Sequence, residues 1–241
     1  SSLLGIRTDL QFGKLKLSTI IAQKKSATSS VQTKGGVQLS SFEFSADDYD
    51  ENRHFFLAQY FREHYDENMA QLPNILSGIT INRVEVWVTN KTGQTTNTRN
   101  VIALTDLGEA SKIHNSMWTG GSVLVPANAA NTSYNTVSGI NGVRNISTAT
   151  SALDGFGLTG GVDYEKLESA RLLSPSEYKV NTALGYISLR SALQPDQVLA
   201  VAFEYTYRGT NYQVGEFSTD RKDNTETLLL KSLKNTANSP S

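Results

Sequence analysis

The sequence predicts a β-rich α+β fold, in which antiparallel hairpins form sandwich-like sheets together with two helices. Apolar and polar residues alternate over several short segments, which is the pattern of half-buried strands. Residues 45–72 instead repeat their apolar side chains with the period of a helix. With 241 residues, the chain is long enough to bury a sizeable hydrophobic core.

The N-terminal segment predicts two strands that meet at Gly13. Leu10 and Phe12 alternate before this glycine, and Leu15 and Leu17 alternate after it. The phase of alternation changes at Gly13, as it does in a hairpin or a bulge. A polar loop follows, after which the sequence VQLSSFEF resumes an extended pattern.

Residues 45–72 form the principal predicted helix. Ser45 is suited to cap the N-terminus of this helix, and Asp48 stands at the position of its reciprocal partner. Phe44 and Tyr49 occupy the two positions of a hydrophobic staple. The proline that follows residue 72 ends the helix, because proline cannot continue the helical hydrogen-bond pattern.

Acidic residues crowd the start of this helix and raise the question of a metal site. They are Asp47, Asp48, Asp50 and Glu51. The glycine and the terminal glutamate of a calcium-binding EF-hand loop are missing from this stretch. The helix dipole favours a carboxylate in the first turn by about 0.3–1 kcal/mol, so we interpret the cluster as a helix start. A calcium site remains the alternative.

Two strands are predicted in the middle of the chain. The sequence GITINRVEVWVTN alternates on both sides of a shift near Asn82, which predicts a bulge. The sequence NVIALTDLG forms the second strand, and the NKTG stretch between them has the residue types of a turn. Residues 79–107 therefore predict an antiparallel hairpin.

The next segment, residues 111–161, is dominated by Asn, Ser, Thr, Gly and Ala and lacks a strong periodicity. Loops of this length are unusual in compact domains, so we expect a surface excursion or a lid. A short second helix is predicted over residues 164–172, and Pro175 lies beyond its end.

The C-terminal part returns to strands. The sequences EYKVNTALGYISL and QVLAVAFEYTY predict strands, and YQVGEFS closes a hairpin through the turn RGTN. The following segment is polar and is expected to leave the domain, although ETLLLKSL is apolar enough to dock. The predicted segments of the chain are residues 1–110, 111–161, 162–219 and 220–241.

Composition excludes several classes of function. Twenty-two basic and 23 acidic residues leave a formal net charge of −1, which gives no electrostatic basis for binding nucleic acid or anionic lipid. The chain has no cysteine, so disulfides, thiol nucleophiles and cysteine-ligated zinc are excluded. No apolar stretch is long enough to predict a transmembrane helix. The N-terminus does not resemble a signal peptide, and we expect a piece of a longer chain.

Histidine spacing does not predict a metal centre. His54 and His64 are ten residues apart and do not form a helical pair of ligands, and His114 lies in the polar segment. The zinc motif HExxH is absent. A site built from three histidines would need distant residues to converge, so we predict no metal-binding residues.

Carboxylates and aromatic residues on the predicted strands suggest two further kinds of site. Glu85, Glu204 and Glu216 are candidates for a glycosidase pair. The candidates for a sugar-stacking surface are Trp87, Trp118, Tyr205, Tyr207 and Tyr212. Outward polar positions and core packing explain both sets more simply. Motifs for a serine nucleophile and for phosphate binding are absent. We therefore predict no enzyme activity, no catalytic residues and no cofactor.

Several long blocks of the sequence resemble the SprA/Sov family of Bacteroidetes outer-membrane proteins, which serve type IX secretion and gliding motility. They are FSADDYDENRHFFLAQYFREHYDENMAQLP, SGITINRVEVWVTNKTG, RNVIALTDLGE, SPSEYKVNTALGYISLRSALQPDQVLAVAFEYTYRGTNYQVGEFS and LLLKSLK. The blocks keep the order of the family and cover most of residues 1–110 and 165–235. Residues 111–161 have no counterpart in this resemblance.

The resemblance implies an extramembrane domain of a giant outer-membrane β-barrel translocon, which passes folded cargo proteins to the cell surface. Its expected role is structural, gating or partner-docking, and its expected partners are secreted cargo, other secretion-system subunits and the rest of the parent chain. The expected location is the outer membrane or cell surface, with the piece itself not spanning the membrane. The alternatives are a cell-surface adhesin or glycan-binding module and, less favoured, a glycoside hydrolase.

Overall fold

A computed structural model describes residues 3–12, 15–24, 52–221 and 223–237. The chain divides into two compact units, Ser1–Ala46 and Asp47–Ser241. In the first unit, strands β1 (Leu3–Phe12) and β2 (Leu15–Lys24) form a two-stranded antiparallel sheet. Their register places Leu10 opposite Leu17 and confirms the predicted pair of strands. Gly13 itself and the segment VQLSSFEF lie outside the described residues.

The second unit contains most of the secondary structure. Its strands are β3 (His54–Phe56), β4 (Ile79–Val88), β5 (Thr98–Leu104), β6 (Tyr164–Leu172), β7 (Tyr178–Asn181), β8 (Tyr186–Leu189), β9 (Leu199–Tyr207), β10 (Thr210–Val214) and β11 (Leu228–Lys234). Its helices are α1 (Gln59–Glu63), α2 (Tyr65–Met69), α3 (Ser133–Ser138) and α4 (Ile146–Phe156). The predicted β-rich α+β class is confirmed.

Six strands form a sheet that closes on itself. Their order is β10-β9-β11-β5-β6-β4, and the additional pairing of β9 with β4 completes the closure. Strand β11 runs parallel to β5 and antiparallel to β9. A separate three-stranded sheet has the order β3-β8-β7.

Alternation along most of the strands divides the core into two layers. In β9, Ala200 and Ala202 belong to one buried cluster, whereas Val201 and Phe203 belong to the other. The cluster with the alanines fills the inside of the closed sheet, because the other cluster, on the opposite face of the sheet, includes the buried residues of the helices. Its members include Trp87, Val101, Ala103, Leu167, Ala170, Phe217, Leu228 and Leu230. Small residues opposite one tryptophan suit the narrow interior of such a sheet.

The helices contribute to the outer layer. Phe61 of α1, Val137 of α3 and Leu153 of α4 are buried in the same cluster as Phe203. Two of these residues come from the Asn/Ser/Thr-rich segment 111–161, which therefore supplies core side chains to this unit. Its apolar residues are too widely spaced along the sequence to reveal this contribution.

The principal predicted helix is wrong in extent. Its first part, residues 45–51, lies outside the described residues, together with the Ser45 cap and the staple. The described remainder of residues 45–72 forms β3 and two five-residue helices instead. Phe55 is extended because it pairs with Ile187 of β8, and the helix breaks again at His64, where φ is −94° and ψ is 6°.

The second predicted helix is also wrong, because residues 164–172 form strand β6. This strand pairs with β5 and, at its end, with β4. A register shift opposite Arg99 and a positive φ of 48° at Ser169 interrupt the two-residue alternation. The buried residues of β6 are consequently Tyr164, Leu167 and Ala170, and this three-residue spacing resembles that of a helix.

Both central strands exist, but the predicted hairpin over residues 79–107 does not. Strand β6 lies between β4 and β5 in the sheet. The predicted bulge is present, since the register of β4 against β9 shifts between Ile81 and Arg83. The predicted hairpin of β9 and β10 is confirmed.

The predicted exit segment, residues 220–241, contains strand β11. Leu228, Leu229 and Leu230 are fully buried, because β11 lies between β9 and β5. The polar residues before the strand form a loop that returns to the sheet. The segment boundaries proposed from sequence remain a prediction, and contacts group Asp47–Ser241 as one unit.

Candidate functional site

The histidines do not come together. His54 lies in β3, where its Nδ1 atom is 2.8 Å from Ser188 Oγ. His64 places Nδ1 2.8 Å from the carbonyl oxygen of Tyr60. The backbone N–H of His114 donates a hydrogen bond to Asp106 Oδ1 at 2.9 Å. Among the described residues, no three histidine, aspartate or glutamate side chains form a group that could hold a metal ion. The acidic cluster at residues 47–51 lies outside that part.

Glu85 points into the closed sheet and fixes the loop after β10. Its carboxylate accepts hydrogen bonds from the backbone N–H of Ser218 at 2.9 Å and from Trp87 Nε1 at 3.3 Å. Arg83 lies 3.6 Å above the ring of Phe217, which belongs to the same loop. These contacts keep the loop against the end of the sheet and leave Glu85 9% exposed.

Glu216 is the most heavily bonded carboxylate of the described residues. Arg144 donates two hydrogen bonds to it, at 2.6 and 2.8 Å, and Arg221 donates one at 2.6 Å. The hydroxyl of Tyr134 and the backbone N–H of Leu229 each donate at 2.9 Å. Because Tyr134 and Arg144 come from residues 111–161, Glu216 ties that segment to the sheet.

Burial and hydrogen bonding act in opposite directions on the pKa of Glu216. Burial alone would raise this pKa, but the hydrogen bonds from Arg144, Leu229 and Arg221 outweigh burial and lower it. Burial also raises the pKa of the Tyr134 hydroxyl, and the neighbouring Glu216 carboxylate adds to that effect. The pair is therefore an ionised carboxylate with a neutral phenol, which is the arrangement of an anchor.

A second buried ion pair joins Glu109 to Lys231 at 2.7 Å, with both side chains 4% exposed. Lys231 also donates to the carbonyl oxygen of Leu107 at 3.1 Å. Glu109 accepts from the backbone N–H of Gln59 at 3.0 Å, and so caps helix α1 from outside the helix. The pair links three separate parts of the chain.

The glutamates singled out from sequence differ in their burial and in their hydrogen bonds. Glu85 and Glu216 are buried and saturated with donors, whereas Glu204 is half-buried opposite Arg83. A glycosidase needs two carboxylates that face a substrate cleft. Glu85 and Glu216 instead anchor loops and segments to the sheet.

The aromatic residues are mostly part of the core. Trp87 and Tyr205 are buried, with 1% and 0% exposure, and the Tyr205 hydroxyl donates to Pro126 O at 2.9 Å. Tyr212 stacks on Tyr205 with ring centroids 5.5 Å apart. Trp118 is 8% exposed. These residues do not present the flat, open surface that sugar stacking requires.

Sequence reasoning missed an apolar groove of about 380 Å³ beside strand β3. Its lining residues are His54, Phe55, Phe56, Tyr65 and Tyr186. The rings of Tyr65 and Tyr186 meet Phe56 edge-on, at centroid distances of 5.6 and 5.8 Å. The groove was hidden because β3 was predicted as helix and because Tyr186 lies far away in sequence.

Comparison with known protein families gives a match over most of the chain. Residues 1–194 match the family SprA_N, described as motility related/secretion protein. A comparison with curated proteins found no match. No helix among the described residues has the length and apolarity needed to cross a membrane. Since the match spans well over half of the 241 residues, the chain belongs to the SprA_N family of motility-related and secretion proteins.

Proposed function

We propose that this chain is an extramembrane domain of a giant outer-membrane β-barrel translocon, which passes folded cargo proteins to the cell surface in type IX secretion and gliding motility. The observation that carries the proposal is the SprA_N match over residues 1–194. The closed sheet and its buried anchors are consistent with a rigid structural, gating or partner-docking unit. The proposed partners are cargo proteins, other secretion subunits and the rest of the parent chain.

The domain acts without catalysis in this proposal. The conspicuous carboxylates, Glu85 and Glu216, hold segments together, and each is engaged by several donors. The proposed structural, gating or docking role requires no cofactor. The proposed location is the outer membrane or cell surface.

Residues 111–161 are the proposed contact surface. They are anchored at Glu216 and in the core, yet they expose Met117 by 45% and Leu124 by 81%. Deleting the whole segment would remove core residues such as Val137 and would unfold the unit. Substitutions of the exposed side chains are therefore the sharper test.

The experiment measures the amount of a folded cargo protein in the medium of cells whose parent protein carries Met117→Arg and Leu124→Arg. We expect reduced secretion with an unchanged melting temperature of the domain. Thr92→Arg, in an exposed turn outside the segment, is the matched control and should secrete normally. Normal secretion by the double variant would refute a contact role for residues 111–161.

A glycan-binding module is the second candidate, and the aromatic groove at Phe56 and Tyr186 is the observation that favours it. Aromatic rings beside a histidine can stack on and orient a sugar. A titration with a glycan panel should then show saturable binding that Tyr186→Ala abolishes. Loss on changing Trp118 or Tyr212 would place the sugar elsewhere, and no saturable binding would exclude this candidate.

A further inference from the structure

The turn between α2 and β4 displays large apolar side chains to solvent. Leu72, Ile75 and Leu76 are 63%, 38% and 53% exposed, and Pro73 between them is exposed as well. Single exposed apolar residues are common on protein surfaces, but three large aliphatic side chains exposed within five residues point to an interaction surface. We call residues 71–76 the apolar turn.

Hydrogen bonds hold the backbone of the apolar turn in place. The N–H of Asn74 donates to the carbonyl oxygen of Gln71 at 2.9 Å, which closes the turn. The N–H of Leu76 donates to the carbonyl oxygen of Asn68 in α2 at 3.1 Å. The turn is thus built onto the preceding helix, and its side chains are presented by the fold.

The electrostatic surroundings of the apolar turn restrict its partner. Residues 68–82 contain no charged side chain. On the helix just before the turn, Asp66 and Glu67 are exposed and form no ion pair within the described part of the chain. Glu63 is neutralised by Lys112 at 2.7 Å, and Arg62 is the one basic residue of helices α1 and α2. The helix that leads into the turn is therefore acidic at Asp66 and Glu67, whereas the exposed Arg208 lies beside Tyr207 near Gly78, at the other end of this stretch.

We propose that the apolar turn is a docking surface that inserts into an apolar cleft with a basic rim on a protein partner. Apolar burial would supply affinity, and lysine or arginine around the cleft would complement Asp66 and Glu67. An anionic lipid surface fits less well, because lipid-binding segments carry lysine or arginine and residues 68–82 have none. This surface lies outside the contact segment proposed above.

The test places a photo-crosslinking phenylalanine analogue at position 72 of the full-length protein in its own cells. The expected product is a crosslink to one polypeptide, mapped to a peptide that combines apolar residues with lysine or arginine. Adding Ile75→Ser and Leu76→Ser should lower the yield by about tenfold or more, because burial of one aliphatic side chain corresponds to roughly one to two decades of affinity. Val162→Ser, which changes an exposed aliphatic residue outside both proposed surfaces, should leave the yield unchanged.

The charged flank is tested separately with Asp66→Asn combined with Glu67→Gln. This variant should lower the yield and reduce its dependence on salt, whereas an unchanged yield would overturn the basic rim. Absence of a crosslink, or a crosslink to a second copy of the chain, would overturn the proposal. Flotation of the protein with phosphatidylcholine vesicles is measured with and without phosphatidylglycerol. Flotation that depends on Leu72 would also overturn the protein partner and favour a lipid surface. The crosslinking assay does not measure secretion, so a negative result for the apolar turn leaves the translocon proposal untouched, and the reverse also holds.

Discussion

Replacing Arg144 with methionine should weaken the attachment of residues 111–161 to the closed sheet. Arg144 donates two hydrogen bonds to Glu216 and a third, at 3.0 Å, to the carbonyl oxygen of Thr227. The Arg144 side chain is 21% exposed and that of Glu216 is 5% exposed, so the pair is largely shielded from solvent. Methionine keeps much of the side-chain volume and removes the charge and the donors.

Removing one partner of a buried ion pair destabilises a protein by roughly 3–5 kcal/mol, because the other charge stays buried. Here Arg221 still bonds Glu216 at 2.6 Å, so the carboxylate keeps one cation. We therefore expect Arg144→Met to lower the free energy of unfolding by about 2–3 kcal/mol. The matched control is Lys91→Met, which breaks an exposed ion pair with Asp196 and should destabilise the protein far less than Arg144→Met, because solvent screens an exposed pair.

The assay is urea denaturation followed by tryptophan fluorescence, with linear extrapolation to water. Trp87 is 1% exposed inside the closed sheet, so its emission reports the loss of the core. Equal losses for Arg144→Met and Lys91→Met would refute the anchoring role of Glu216. A loss below about 1 kcal/mol for Arg144→Met would refute it as well.

The pH dependence of stability follows from the same carboxylate. The pKa of Glu216 is lower in the folded protein than its ordinary value of 4.5, which the unfolded chain regains. The stabilisation it provides is complete above that ordinary value and is lost as the pH falls through the folded pKa. Between pH 7 and pH 3, the wild type should therefore lose more stability than Arg144→Met.

The remaining predictions concern a tight backbone approach and the second buried ion pair. Gly185 has a φ of +69°, and a Cβ atom there would lie 2.5 Å from Phe61, so Gly185→Ala should destabilise the fold by about 2–4 kcal/mol. Gly209→Ala, at a φ of +81° with open space around it, should cost only about 1 kcal/mol in the same urea assay. Lys231→Met should cost about 3–5 kcal/mol, and adding Glu109→Leu should recover part of that loss. If the double variant is less stable than Lys231→Met alone, the loss in Lys231→Met does not come from leaving the Glu109 carboxylate buried without its cation.

Local chemistry explains which elements the sequence predicts well. The hairpin of β9 and β10 follows from the β-favouring composition of β9 and from a turn at Arg208 and Gly209, whose φ values of 49° and 81° suit a two-residue hairpin. The bulge near Asn82 is likewise visible, since it shifts the apolar phase within one strand. Such features depend on residues close together in sequence.

Long-range pairing explains the errors. Strand β6 has a helical composition, and only its pairing with β5 and β4 makes it extended. Helix α1 begins where Glu109, fifty residues away, accepts the N–H of Gln59, which no local capping signal predicts. The central place of β11 depends on contacts with strands more than 20 residues distant.

The candidate sites show the same division. Glu85 and Glu216 are conspicuous in the sequence as carboxylates near strands, but their role depends on Ser218, Arg144 and Arg221, which reach them only in the fold. The apolar turn begins at the end of the predicted helix, residues 45–72, and continues beyond Pro73, where nothing in the sequence indicates that Ile75 and Leu76 are exposed. In the structure, helix α2 ends at Met69, and the apolar turn follows it with its side chains exposed.

The measurement that tests the central claim most directly is secretion of a folded reporter cargo by cells whose parent protein lacks residues 47–237. The level of the shortened parent in the outer membrane is measured in the same cells. The proposed function predicts that folded reporter disappears from the medium while the parent remains in the membrane. Normal secretion of the reporter at an unchanged parent level would contradict it.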